Sequence, residues 1–165
     1  MPLDDFSPHP LPVLGGLLAV SPMPGRTRHY RTDWDTLVGW GPRAVLTMTK
    51  QAELERKGAG SLGADCTGLG IAWHHLPVAD FGAPTPEVEA LWPEVSRDLR
   101  AHLSRGNRVL VHCFGGCGRS GMAALRLMVD AGEAPAAALT RLREARPCAV
   151  ETEAQLAWAT KGALP

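Results

Sequence analysis

Residues 111–121 read VHCFGGCGRSG, which places Cys113 six positions before Arg119, with Gly115, Gly116 and Gly118 between them and Ser120 directly after the arginine. A glycine-rich loop that leads from a strand into a helix turns several backbone N–H groups, and the positive end of the helix dipole, toward one small volume. Such a volume binds an anion. The glycines remove side chains that would crowd it, and Arg119 supplies a planar, permanently charged fork that grips two phosphate oxygens together. A cysteine at the mouth of this nest sits in the same positive field, which favours its nucleophilic thiolate form. One loop therefore makes a nucleophile and binds its target. The alternative, an inert core cysteine after an apolar strand, leaves Arg119, Ser120 and the glycines without a reason.

Transfer of a phosphoryl group to the thiol needs a proton donor for the leaving oxygen, and the loop has none. Asp80, in ADFGAPTPE, follows an apolar stretch and lies in a Gly/Pro-rich turn suited to holding a carboxyl at a cleft rim. A positioned acid contributes on the order of 10²–10⁴ in rate. Its plainer reading is a turn-capping aspartate.

The H-C-x5-R-S pattern, filled by His112, Cys113, Arg119 and Ser120, resembles that of the cysteine-dependent protein phosphatases. The resemblance implies that Cys113 attacks phosphorus to give a cysteinyl-phosphate. The amides of Phe114, Gly115, Gly116, Cys117, Gly118 and Arg119 would hold the equatorial oxygens together with the guanidinium. Ser120 would assist departure of the thiolate, His112 would brace the loop, and Asp80 would be the general acid. HHLPVADFGAPTPE, TKQAELER, HCFGGCGRS and AVETEAQ are further similar to the kinase-associated dual-specificity phosphatase (cyclin-dependent kinase inhibitor 3-like) family, from about Asp33 to the C-terminus. This implies the dual-specificity cysteine-phosphatase fold and a phosphoprotein substrate carrying phosphotyrosine, phosphoserine or phosphothreonine. A protein kinase is a candidate partner, although the N-terminal segment shows no match to the family. One position departs from the pattern. Where the family carries a water-positioning glutamine this chain has Glu151, with Gln155 four residues on. Glu151 could repel the phosphoenzyme, serve as a base, or simply favour a helix N-terminus; alternatively Gln155 takes over the glutamine's role.

The elements that must position these residues read as follows. The 165 residues fit one domain, 1–165, whose first 30 residues form an irregular lead-in with an N-terminal strand or hairpin at LPVLGGLLAV. Thr32 and Asp35 stand in a capping-box relation before a short helix closed by Gly39 or Gly41. Arg43–Thr49 is a strand. KQAELERKGAGSLGAD is helical at its start and loop-like at its glycines, and Gly70–Val78 is a second strand. From Pro86, the apolar stripe Val88, Leu91, Trp92, Val95, Leu99, Leu103 has helical period, with Pro93 as a kink or the true start. NRVLVHC is a third strand, followed by helices over 120–131, 135–146 and ETEAQLAWATKG. Strands alternating with helices predict an α/β fold, a mostly parallel central sheet with helices on both faces and ligands at the carboxyl ends of its strands.

Equal numbers of basic and acidic residues, 17 of each, give no net field for nucleic acid or an anionic membrane, so neither is an expected partner. Leu11–Val20 follows two aspartates and is broken by proline and glycine, unlike a signal peptide. The four cysteines, at 66, 113, 117 and 148, lack paired C-x-x-C spacing, which suggests free thiols in a reducing, cytoplasmic setting, with Cys117 a small filler in the loop. A metal on His112, Cys113 and Cys117 would need a fourth ligand and would destroy the nest, so no metal and no cofactor are expected. His74 and His75 face opposite sides of a strand, and Trp73 is a candidate groove residue. The chain is read as a monomer. Two other functions fit a C-x5-R thiol loop: a phosphate-binding module with little turnover, and an arsenate reductase-like thiol enzyme with Cys117 or Cys66 as resolving thiol. A lipid phosphatase fits less well, because FGGCG carries no cation for additional phosphates.

Overall fold

In the computed structural model, which describes residues 5–162, Arg108–His112 (RVLVH) forms the central strand of a five-stranded sheet. In chain order the strands are β1 (His9–Val13), β2 (Gly16–Ser21), β3 (Pro42–Thr47), β4 (Ala72–His75) and β5 (Arg108–His112). Their spatial order is β1-β2-β5-β3-β4; β1 is antiparallel to β2 and the remaining pairings are parallel. The helices are α1 (Tyr30–Trp40), α2 (Gln51–Arg56), α3 (Leu62–Gly68), α4 (Pro86–Glu89), α5 (Trp92–Ser104), α6 (Gly118–Asp130), α7 (Pro135–Ala145) and α8 (Glu153–Thr160).

The side-chain period of a strand explains the two layers. Leu18, Val20, Ala44, Leu46, Val109 and Val111 pack with buried residues of α5, α6, α7 and α8. Their neighbours Ala19, Val45 and Leu110 pack on the opposite face with Leu37 of α1, Leu54 of α2, and Leu62 and Cys66 of α3. A strand apolar on both faces must lie inside, and β5 does. Ser21 and Thr47 flank His112 in register at the carboxyl ends of β2, β3 and β5, so the segments that follow these strands converge at one edge.

Alternatives left open at the N-terminal hairpin and at Pro93 are decided, and three local expectations change: the start of α1, the stretch that holds α3 and the length of the second predicted strand. LPVLGGLLAV is a hairpin turning at Leu14 and Gly15, while residues 1–4 of the predicted lead-in lie outside the described residues. The helix α1 starts at Tyr30, before Thr32; its Asp33 accepts from the Gly25 amide at 2.7 Å, and left-handed Gly41 closes it. The glycine-rich stretch after α2 contains α3, because Leu62 and Cys66 bury one face and Gly63 lets the helix approach Trp73; a Cβ there would lie 2.7–2.8 Å from the indole. Pro93 marks the start of α5, separated from α4, where its missing N–H breaks no helical bond. The second predicted strand is shorter than 70–78, although the Leu76 and Val78 amides still bond to Thr47 and Met48 carbonyls.

Candidate active site

The loop after β5 owes its shape to where its carbonyls go. The Cys113 carbonyl accepts from His112 Nδ1 at 3.1 Å, and Phe114 O from the Met23 amide at 3.0 Å. Gly115 and Gly116 carbonyls take Arg146 Nη2 and Nε, each at 3.0 Å, and Cys117 O takes the amides of Gly121 and Val150 at 3.0 and 3.1 Å. A trans peptide points each carbonyl opposite to the following N–H. Five carbonyls held from outside therefore turn the amides of residues 114–118 inward, which is an anion nest. Gly116 has φ +73°, and a Cβ there would lie 2.5–2.6 Å from the backbone of Ser21 and Pro22, so only glycine fits.

Arg119 is 1% exposed and forms the wall of the nest. Nη1 donates to Glu53 Oε2 and Val78 O, and Nη2 to Glu53 Oε1, all at 2.9 Å. These bonds consume one edge of the guanidinium and leave the Nε–Nη2 edge, whose buried Nε has no partner among the described residues. An unpaired, buried, charged donor beside a nest of amides suits a phosphate oxygen. Burial would raise the Glu53 carboxyl, but bonds from Arg119 and the Lys50 amide outweigh it and hold the group below its ordinary value. Burial likewise disfavours the Arg119 charge, and Glu53 more than restores it.

Cys113 is 3% exposed, with its Sγ 3.2 Å from Ser120 Oγ. Behind it, the Trp73 indole N–H donates to Thr47 Oγ1 at 2.9 Å, and Thr47 lies 2.8 Å from His112 Nε2. The Cys113 carbonyl can only accept, so Nδ1 carries the proton of the neutral ring and Nε2 accepts from the Thr47 hydroxyl. Burial pushes the His112 imidazole down to about 4, so it stays neutral and braces the loop.

Asp80 is exposed at the cleft rim, its Oδ1 3.6 Å from Arg119 Nη2 and 3.0 Å from the Phe81 amide. The acid loop is fastened at both ends: Val78 O to Arg119, and Gly82 O to Gln155 Nε2 at 3.2 Å. Gln155 is fully buried; its Oε1 also accepts from the amides of Glu151 and Thr152, and with Thr152 it forms the capping box of α8. Glu151 is exposed and lines the Cys113 cavity. A Cβ on Gly118 would collide with its carboxylate, which places Glu151 at the N-terminus of α6, where a helix dipole favours negative charge.

The thiols divide differently from expectation. Cys117 is bonded to Cys148, with Cα atoms 5.1 Å apart across 31 residues of sequence. The bonds from Val150 and Arg146 to the loop bring these two segments together, a contact that spacing along the chain does not disclose. Cys66 and Cys113 are free, and burial pushes the Cys66 thiol up to about 12. Trp73 turns toward α3 and His75 instead of lining the cleft. His74 meets Asp98 and His75 the Thr49 carbonyl, both at 2.7 Å. Among the described residues no cluster of three or more His, Cys, Asp or Glu could hold a metal, and no helix is long and apolar enough to cross a membrane. Sequence reasoning missed Glu53 and Arg146; the only signal for Glu53 was its place in TKQAELER, and Arg146 looked like the end of a helix.

A thiol loop of this construction, at the carboxyl end of a central parallel strand, gives the chain the fold of the dual-specificity phosphatases. The profile of the cyclin-dependent kinase inhibitor 3 (CDKN3) family matches residues 17–139, and the chain belongs to that family. The match begins before Asp33 and ends short of AVETEAQ, so its range differs from that of the motif resemblance. Cyclin-dependent kinase inhibitor 3 of Mus musculus is 32% identical over 120 residues, 72% of this chain and 56% of that protein; the Homo sapiens protein is 29% identical over 121 residues, again 72% and 56%. The chain thus spans just over half the length of these curated relatives. A crystal structure of kinase associated phosphatase with serine for its catalytic-site cysteine superposes with a TM-score of 0.81 at 24% identity, covering 96% of this chain and 94% of that one. Tk-PTP in its active form gives a TM-score of 0.63 at 28% identity, covering 87% and 89%.

Proposed function

We propose that this chain is a protein phosphatase that hydrolyses phosphotyrosine, and also phosphoserine and phosphothreonine, through a cysteinyl-phosphate. The observation that carries this reading is the inward turn of five amides around a buried thiol, with the Nε of Arg119, unpartnered among the described residues, beside it. The Cys113 thiolate attacks phosphorus as the phosphorus–oxygen bond of the substrate breaks, and Asp80 gives its proton to the departing oxygen. The loop amides and the Nε–Nη2 edge of Arg119 hold the equatorial oxygens where charge is greatest. Water then attacks the phosphorus, Asp80 recovers a proton from it, and the thiolate leaves with a hydrogen bond from Ser120. Gln155 Oε1 is filled by two amides and Nε2 spends one of its two hydrogens on Gly82 O, so the Glu151 carboxylate and the second Nε2–H, both beside Gly118, are the groups left to orient that water. Glu53, His112, Arg146 and Gln155 are positioning residues. We read the chain as a monomer acting on phosphoproteins, with a protein kinase among the candidate substrates; the cytoplasmic expectation rests on free thiols, and Cys117 and Cys148 are bonded to each other.

The test is hydrolysis of p-nitrophenyl phosphate and phenyl phosphate with and without chelator, compared with Cys113→Ser and Asp80→Asn. Turnover of p-nitrophenyl phosphate is expected to be abolished by the first, and turnover of phenyl phosphate, whose leaving group needs a proton, to be lowered by about 10²-fold or more by the second. Tight phosphate binding without wild-type turnover would instead identify a phosphate-binding module.

A further inference from the structure

Beside the Cys113 cavity lies a second one of about 450 Å³, lined by Arg28, Glu53, Arg56, Lys57, Asp80 and Phe114. The two share Asp80 and Phe114, so the Phe114 ring divides them. Arg26, on the Cys113 side, stacks 5.5 Å from the ring centroid, and Lys57 stacks at 5.9 Å. Resting on the phosphatase reading above, we propose that this second cavity is an anion subsite, and that the substrates are phosphoprotein segments carrying a second anionic group, carboxylate or phosphate, next to the phosphorylated residue.

Charge in this cavity is unbalanced. Both Glu53 oxygens are spent on Arg119, and Asp80 faces the same guanidinium. None of Arg26, Arg28, Arg56 and Lys57 is within ion-pair distance of a carboxylate among the described residues. In a chain with no net charge, Arg28, Arg56 and Lys57 around this cavity and Arg26 across the Phe114 ring, none of them in an ion pair among the described residues, mark a surface built for negative ligands. The cations are also held in place. Met23 binds the Phe114 carbonyl and Gly25 binds Asp33, fixing the turn that carries Arg26 and Arg28, while Arg56 and Lys57 end the helix whose Glu53 grips Arg119. Arg28 has φ +69°, in the left-handed region that favours glycine or asparagine. A bulky cation kept there despite its backbone cost fits a binding role. A protein segment suits the site better than a lipid headgroup, because these cations stand at the rim while the nest interior has no cation besides Arg119.

The experiment compares kcat/KM for three phosphotyrosine peptides, with neutral flanks, with flanking glutamates, and with a second phosphotyrosine adjacent, using wild type and Arg28→Gln/Arg56→Gln. We expect the anionic peptides to be preferred about five- to tenfold at low salt, the preference to fall below about twofold in the variant, and p-nitrophenyl phosphate turnover to stay unchanged. The glutamate and phosphate arms distinguish the source of the anion. Equal rates for neutral and anionic peptides would overturn the proposal, as would a parallel loss with p-nitrophenyl phosphate. Faster turnover of a short-chain phosphatidylinositol phosphate, with the same dependence on the two arginines, would reassign the subsite to lipid. Should wild type fail to cleave p-nitrophenyl phosphate, the phosphatase reading fails by itself. Calorimetric binding of the same peptides to the Cys113→Ser protein still decides the subsite: tighter binding of anionic peptides that depends on the arginine pair supports it, and equal binding overturns it.

Discussion

The loop after β5 and the loop of Asp80, proposed above to bind phosphate and to supply the acid, meet at the Cys113 cavity but are built in opposite ways. Five carbonyls of the loop after β5 are held, by the Met23 amide, by Arg146 twice, by the Gly121 and Val150 amides and by the His112 ring, and Gly116, Gly118 and Arg119 are buried. The acid loop exposes Ala79, Asp80 and Phe81, with Phe81 at φ +62°, and is fastened mainly through the carbonyls at its ends. An anion nest works only if its donors are fixed before the anion arrives, so its geometry is over-determined. A proton donor must serve leaving groups of different size, and the sparse tethering of Asp80 fits that demand.

The strongest way to break this contrast is to strip the support from Arg119. Glu53→Ala leaves a guanidinium 1% exposed without its carboxylate, and removing one member of a buried pair costs about 3–5 kcal/mol. Urea denaturation should show that loss, together with weaker phosphate binding. A loss under about 1 kcal/mol would mean that Val78 and the loop suffice to hold the arginine. Next in size is the cross-link behind the nest. Cys148→Ser removes a bond closing 31 residues, worth about 2–4 kcal/mol. The thermal midpoint of wild type should fall to that of the variant on adding dithiothreitol, while the variant should not respond. Equal midpoints without reductant would assign the stability to Arg146 and Val150 instead.

The buried imidazole sharpens the comparison through pH. Above about 6.5 His112 is neutral both folded and unfolded and contributes no pH dependence. Between there and its folded value of about 4, the unfolded chain binds a proton that the folded protein refuses, so stability falls with pH by up to about 3 kcal/mol. Glu53 acts lower: its depressed carboxyl stabilises the fold above its unfolded value, and that contribution is lost as pH falls through the folded value. The window from 6.5 to 5 therefore reports His112, and His112→Gln should flatten denaturation midpoints measured across it. An equally steep slope in the variant would assign the dependence elsewhere.

The parts legible in the sequence were those whose logic is local. The apolar run in RVLVH, the glycines after it and the stripe from Val95 to Leu103 each follow from burial, a period or a backbone requirement, and they set the sheet, the nest and α5. What escaped depended on contacts between distant segments. Glu53 lies 66 residues from the arginine it grips, Arg146 is 30 residues from the carbonyl of Gly116, and Cys148 meets Cys117 only because those bonds bring their segments together. The Thr32 and Asp35 pair failed as a cap for a related reason: Asp33 is drawn to the Gly25 amide, and the helix starts earlier.

The smallest expected effect separates the loops most cleanly. Gln155→Leu removes the donor that holds Gly82 O, along with the acceptor for the amides of Glu151 and Thr152, the strap of chain beside Gly118, so some stability is lost as well. A ratio of two substrates on one preparation is unaffected by that loss. p-Nitrophenolate departs with little help from an acid, whereas phenol or an alkyl alcohol needs a proton delivered in place. If Gln155 positions Asp80, kcat for phenyl phosphate should fall about tenfold while p-nitrophenyl phosphate changes less than about twofold. An equal fall for both would place the effect of Gln155 on the nest, through the strap over Gly118, and the two loops would then share one support.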